Sequence, residues 1–187
     1  MIDQPSLPKT TRLHFRPWQP ADRPPFAALN ADPEVRRHFP AVQSRAESDA
    51  SADRMESYYA RDGYSFLPCI LTATGEFLGF VGIITGTDTP GYVGDLEIGW
   101  RLAREQWGKG YATEGARAWL RYAFEELQAP HVIAITTVGN EPSMNVMRKI
   151  GMSKVGEFGH PLIDPASPIH PHVIYRVTAE EYAERKQ

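Results

Sequence analysis

The sequence has a single cysteine, Cys69, and no run of eighteen apolar residues. The first excludes an intramolecular disulfide framework and suits a reducing compartment, and the second excludes a membrane-spanning helix. The lone thiol reads as a buried strand residue rather than a nucleophile. Met1-Ile-Asp-Gln-Pro-Ser-Leu-Pro-Lys9 lacks the apolar core of a signal peptide, so a cytoplasmic protein without membrane attachment is expected. Basic surplus is absent too: a net charge of -3 and a pI near 6.1 give nucleic acid nothing to bind, which makes it an unexpected partner. There is no internal repeat and no low-complexity tract. His160, His170 and His172, with Asp164 among them, follow no zinc spacing, and no metal is expected.

What the chain does have is enough apolar content, 42% of 187 residues, for one core and one domain. The domain is expected over residues 11–178, with 1–10 and 179–187 as terminal extensions. Eight of the sixteen prolines fall in the first forty residues and four more between Pro161 and Pro171, so irregular backbone collects towards the two ends. Thr11 to Phe15 alternates as a short strand. Asp22 and Asp32 each precede proline-containing segments in the manner of helix caps, predicting two short helices. Ser44-Arg-Ala-Glu47 fits a capping box opening a polar surface helix to Arg61. Tyr64 to Thr72 and Phe77 to Thr85 form a predicted hairpin, and Tyr92 to Leu102 a further strand.

From Leu96 to Gly115 an apolar-alternating run ends in Trp107-Gly-Lys-Gly-Tyr-Ala112 and opens a helix. Ala112, Ala116, Trp119, Leu120, Ala123, Phe124 and Leu127 then recur at threes and fours, one apolar stripe closed by Pro130. Val132 to Ile135 is apolar without alternation, a strand covered on both faces, and the helix between implies a parallel crossover. Asn140-Glu-Pro-Ser143 starts another helix, Gly151 ends it, and Val155 to Phe158 and His172 to Val177 are two last strands. A glycine turn feeding a helix leaves first-turn N–H groups without intrahelical partners, which favours an anion such as phosphate. The spacing is not a Walker loop, since Ala103 stands where a glycine is required and Gly110 where Ser or Thr is required. Nor is it a dinucleotide fingerprint, which would need Gly or Ala at Thr113. A plain connecting turn remains the alternative on local sequence alone.

Trp107-Gly-Lys-Gly-Tyr-Ala112 with Thr113-Glu114, Glu97-Ile-Gly-Trp100 upstream and Asn140-Glu-Pro-Ser-Met-Asn-Val-Met-Arg-Lys-Ile-Gly151 downstream resembles the GNAT acetyltransferase superfamily. Within it, the chain is most similar to the branch of ribosomal-protein-alanine N-acetyltransferases, and the likeness spans about Thr11 to Thr178. The resemblance implies an α/β acyl-CoA N-acyltransferase fold, a mixed sheet of about six to seven strands flanked by helices, splayed at the cofactor site. It implies acetyl-CoA as cosubstrate, its pyrophosphate on the turn and helix start formed by Trp107, Gly108, Lys109, Gly110, Tyr111, Ala112 and Thr113. The pantetheine arm would pair against Trp100, Arg101 and Leu102, with Asn140 and Ser143 holding it further along; strand addition by the arm's amides requires the strand before the turn to part from its neighbour. Trp107 replaces the superfamily's usual Gln or Arg, a change the resembled branch often shows.

Glu97 is the candidate base, although it could instead orient substrate or pair with a cation. The amount of base needed depends on the amine: a lysine amine of pKa about 10.4 lacks about 4.6 kcal/mol of neutral form at pH 7, an α-amino group only about 1 to 1.5. Many members place a thiolate-protonating tyrosine where this chain has Met147, leaving Ser143 as candidate donor or as a plain helix-start serine. Asn140 is equally suited to capping that helix. The expected activity is acetyl transfer to a primary amine, on a protein N-terminus or a small molecule, by direct attack in a ternary complex. The rival is a non-catalytic acyl-CoA-binding module, favoured only by Trp107 and Met147. A homodimer is common among proteins of this kind. Tyr58, Tyr59, Tyr64 and Phe66 read as core residues or as walls of the acceptor site.

Overall fold

In the computed structural model, which describes residues 6–185, the chain forms one mixed sheet with helices on both faces. Strands β1 (Leu13–Phe15), β2 (Phe66–Leu71), β3 (Phe77–Thr85) and β4 (Leu96–Leu102) run antiparallel to one another. Beyond them lie β5 (His131–Thr137), then β6 (Ser153–Gly159) and β7 (Pro171–Thr178), giving the order β1-β2-β3-β4-β5-β7-β6. The expected α/β architecture is thus found, with seven strands.

Helix α4 (Tyr111–Glu125) covers one face: its apolar stripe buries Ala116, Trp119, Leu120 and Ala123, and Gly115 lets it approach Phe15 and Val81. On the other face α1 (Arg23–Ala31) sets Phe26 edge-on to Phe80 and Phe77, and α3 (Arg45–Asp62) packs behind it. The capping box of α3 is present: Ser44 accepts from Glu47 N and Glu47 accepts from Ser44 N. Cys69 is fully buried in β2, and burial pushes its thiol up to about 12, which leaves it inert.

Two local expectations are corrected. The strand expected from Tyr92 begins at Leu96, because Gly91 and Gly94 sit at φ +79° and +94°, outside extended backbone, and residues 86–95 close into a turn through Gly94 N to Gly86 O (2.9 Å). Asp22 makes no cap for α1; it is buried in a two-bond pair with Arg16, at 2.6 and 2.7 Å. The second short helix, α2 (Pro33–Arg36), is found as expected, capped by Asp32 and one turn long. The chain turns away where Arg36 Nε donates to Ala41 O at 2.8 Å. At the C-terminal side, α6 (Ala179–Glu184) docks on α4, with Tyr182 stacked on Phe124.

One feature of the sheet positions the candidate site. β4 and β5, its parallel pair, are joined only at Leu96↔Val132 and Glu97↔Ile133. Beyond Glu97 the strands part, and Ile98 to Leu102 have an unpaired edge on the β5 side. That fork was expected from the resemblance, and it opens towards the carboxyl ends of both strands, where open α/β sheets bind ligands.

Candidate active site

Two helix starts face the open end of the fork: β4 leads through the glycine turn into α4, and β5 leads through residues 138–140 into α5 (Glu141–Lys149). In the first, Gly108 and Gly110 adopt φ +74° and +82°, which only glycine takes without strain. Gly110 ends the turn as an uncapped N-cap, and no acceptor within the described residues meets the N–H groups from Gly108 to Thr113. Six donors at the positive end of a fifteen-residue helix make the site fit a pyrophosphate. Lys109 is exposed, and its ammonium donates to Gln106 Oε1 at 3.0 Å. Trp107 lies over the turn with its indole N–H on Leu102 O at 2.9 Å, tying the turn to the end of β4.

The turn is also held from outside, by residues that sequence reading missed. Arg12 donates from Nη1 to Lys109 O (3.1 Å), pairs with Glu114 (2.6 Å) and lies over the Tyr111 ring. Partial burial works against the charge of Glu114, but bonds from Thr10 and Arg12 outweigh it and keep the carboxyl below its usual range. Glu114 was visible as part of the motif; nothing in the sequence paired it with Arg12.

In the second helix start, Asn140 Oδ1 caps Ser143 N at 3.4 Å, while its amide donates to Thr136 Oγ1 at 2.8 Å. The half-buried Ser143 hydroxyl has no hydrogen-bond partner among the described residues. Met147, one turn on, is 1% exposed and part of the core, so that place offers no proton donor.

Glu97 occupies the last paired position of β4, the vertex of the fork. By strand alternation it shares a face with Gly99 and Arg101, opposite Ile84, Gly82 and Phe80 of β3; Trp100 and Leu102 point to the α4 face. Gly99 has no room for a Cβ, which would stand 2.8 Å from the Phe66 ring stacked on Phe80, so Phe66 belongs to the wall of this face. Burial pushes the Glu97 carboxyl up to about 7; the Thr89 hydroxyl, 3.4 Å away, opposes this, and the charge of Asp88 adds to it. A carboxyl that changes charge near neutrality is matched to general-base work.

The rest of this face carried no readable motif. Arg101 stretches back from β4 to Asn30 Oδ1 (2.8 Å), and Asn30 is fixed in turn by Ser48. Residues 160–170 lie between β6 and β7: the His160 ring meets that of His172 on β7 at 4.8 Å, tilted by 53°, and burial lowers both, with the charge of Asp88 opposing this at His160. Among the described residues no group of three or more His, Cys, Asp or Glu could hold a metal ion.

A seven-stranded mixed sheet forked at its parallel pair, with a bare helix start at the fork, defines an acetyl-CoA-dependent acyltransferase. The chain belongs to the GNAT acetyltransferase family: the acetyltransferase (GNAT) domain matches residues 12–153. It is 33% identical over 187 residues to the FsC-acetyl coenzyme A-N(2)-transacetylase of Aspergillus fumigatus, covering 96% of this chain and 78% of that one. Over 61 residues, a third of each chain, it is 43% identical to the putative ribosomal N-acetyltransferase YdaF of Bacillus subtilis. The structure of a GNAT-family acetyltransferase from Bacillus anthracis superimposes with a TM-score of 0.78 at 25% identity, over 94% of this chain and 99% of that one. No helix among the described residues is long and apolar enough to cross a membrane.

Proposed function

We propose that the protein acetylates a primary amine by direct attack within a ternary complex, with Glu97 as the base. The observation that carries this is a half-buried carboxyl, shifted to about 7, at the vertex of the fork between the two open helix starts. The N–H groups of Gly108 to Thr113, preceded by Trp107 and with the Lys109 side chain beside them, would hold the pyrophosphate of acetyl-CoA. The free edge of β4 at Trp100, Arg101 and Leu102 would hold its pantetheine arm, with Asn140 and Ser143 beyond. Bound there, acetyl-CoA supplies an activated thioester.

Glu97 receives the proton of the incoming ammonium, directly or through one water; as the C–S bond breaks, the Ser143 hydroxyl can give a proton to the leaving sulfur while it regains the one lost by the acylated nitrogen. With a base of pKa about 7, kcat/KM rises with pH through about 7 as Glu97 ionises. Glu97→Gln should lower kcat/KM about 10²- to 10⁴-fold and remove that rise, with the affinity for acetyl-CoA kept. Initial rates of CoA release across pH 5.5 to 9, on a panel of primary amines, read both effects. Undiminished turnover by Glu97→Gln rules out the base; acetyl-CoA binding without acetylation of any amine by the wild type rules out the transferase.

A further inference from the structure

The face beside Glu97 holds two guanidinium groups that the acetyl-transfer chemistry does not use. Arg101 lies over Phe39 at 4.2 Å and over Phe80 at 5.2 Å; Arg36 lies over the same Phe39 ring at 4.4 Å. Neither has a carboxylate within 4 Å among the described residues. The side-chain bonds they do make go to neutral oxygens, Asn30 Oδ1 for Arg101 and Ala41 O for Arg36, and Arg101 Nε is buried with no acceptor at all. Burial lowers both guanidinium groups; at Arg36 the charge of Glu47 opposes this, whereas Arg101 is pushed further down by Arg36, to about 9, a value at which it is still charged at neutral pH.

Two buried cations beneath an aromatic ring are costly, because burial removes water, and the only opposite charge that acts on them, that of the exposed Glu47, reaches Arg36 and leaves Arg101 uncompensated. The arrangement is nonetheless built. Asn30 is fully buried and held by Ser48, so that its oxygen, not its amide, meets Arg101. Phe39 is 37% exposed and so lies at the mouth of the recess, and the neighbouring His38 reaches Thr137 of β5, so this loop runs across the fork. Guanidinium groups with unused donors match one ligand chemistry above all: an oxyanion, best a planar carboxylate.

Resting on the transferase reading above, we propose that the acceptor is an amine that also carries a carboxylate, bound by Arg101 and Arg36 while its amine faces Glu97. The spacing limits its shape. Glu97 and Arg101 stand on one face of β4, four residues and so about 13 Å apart along the strand. An α-amino acid, whose amine and carboxylate share one carbon, spans far less than this backbone separation. The carboxylate must lie several bonds from the reacting nitrogen, as in an ω-amino acid or in a peptide with an acidic side chain after its N-terminal residue.

The test compares matched acceptors on the intact protein: ω-amino acids from glycine to 8-aminooctanoate against alkylamines of equal length, and Ala-Glu against Ala-Gln as free-carboxyl-blocked dipeptides. Within at least one series the carboxylate should raise kcat/KM ten-fold or more, with the ω-amino acid optimum at an intermediate length. Preference confined to the dipeptides identifies a peptide acceptor; preference confined to the ω-amino acids identifies a small molecule. Arg101→Gln and Arg36→Gln should each pull the preference ratio towards one. Should either variant fail to fold, competition on the wild type serves: hexanoate should inhibit against the amine at least ten-fold better than hexanol. Equal kcat/KM with and without the carboxylate in both series, alongside equal inhibition, overturns this inference and leaves the transferase standing. Absence of acetylation of every amine overturns both.

Discussion

The glycine turn presents backbone, and the face around Glu97 presents side chains. At the turn, six consecutive N–H groups come from one stretch of chain, and the residue types matter only where φ is positive, at Gly108 and Gly110. At the proposed acceptor face, Glu97 and Arg101 come from β4, Asn30 from α1, Arg36 from α2 and Phe39 from the loop beyond it. A surface made of peptide groups can be held fixed by a few glycines while its side chains vary, and it suits a ligand part shared by every reaction of the class. A surface assembled from four segments can change one residue at a time, and it suits the part of the reaction that differs.

If the turn works through backbone geometry, changing that geometry should damage cofactor binding more than any change across the fork. Gly108→Val with Gly110→Val forces two β-branched residues to φ near +80°, at about 1–2 kcal/mol each or more. Either the turn refolds and its N–H groups point elsewhere, or the strain is kept at the cost of stability. Calorimetric titration with CoA should show at least a 100-fold loss of affinity, whereas Phe39→Leu should change it less than three-fold. Comparable losses from both would erase the division between the two surfaces.

The same division decides how much could be read from sequence. Leu96 to Gly115 showed a strand, two glycines and an amphipathic helix because all three signals are local. The fork was implied by the resemblance and needed only that a parallel neighbour follow the helix. Ser44 and Glu47 announced their capping box for the same reason. By contrast, Arg36 and Phe39 have no periodicity and sit 62 or more positions from Arg101; their meeting is a consequence of tertiary packing, and no spacing encodes it. Asp22 was misread because a buried partner, Arg16, outweighed its local tendency to cap. Tyr92 was assigned to a strand on residue type, although Gly91 and Gly94 on either side of it favour a turn.

The acceptor face should be distinguishable from the turn in how it answers to pH as well. Glu97 loses its proton near 4.3 when unfolded but only near 7 when folded, so between those values unfolding releases a proton and wild-type stability falls as pH rises. Glutamine does not titrate. Relative to wild type, Glu97→Gln should therefore melt at about the same temperature at pH 4.5 and higher at pH 8. With the carboxyl half-buried rather than sealed, the gain is on the order of 1–2 kcal/mol, roughly 3–6 °C for a chain of this size. Melting curves at the two pH values read the difference; a gain equal at both would mean that the carboxyl ionises as it does in water.

The smallest effect falls on the turn, through its outer brace. Arg12→Gln removes the ion pair with Glu114 and the bond to Lys109 O, and leaves Glu114 with Thr10 as its remaining side-chain donor. Arg12 is 44% exposed in its side chain, so the ion pair is worth at most about 1 kcal/mol, and the charge-assisted bond to the carbonyl adds a similar amount before water replaces it. Melting should fall by about 2–4 °C, less in 0.5 M salt, where the pair is screened. The CoA affinity should fall only about two- to five-fold, because Gly108 and Gly110 set the direction of the N–H groups and Arg12 only steadies it. A loss approaching that of the double glycine variant would instead make the Arg12 guanidinium a direct partner of the phosphates, and the turn would then bind with a side chain after all.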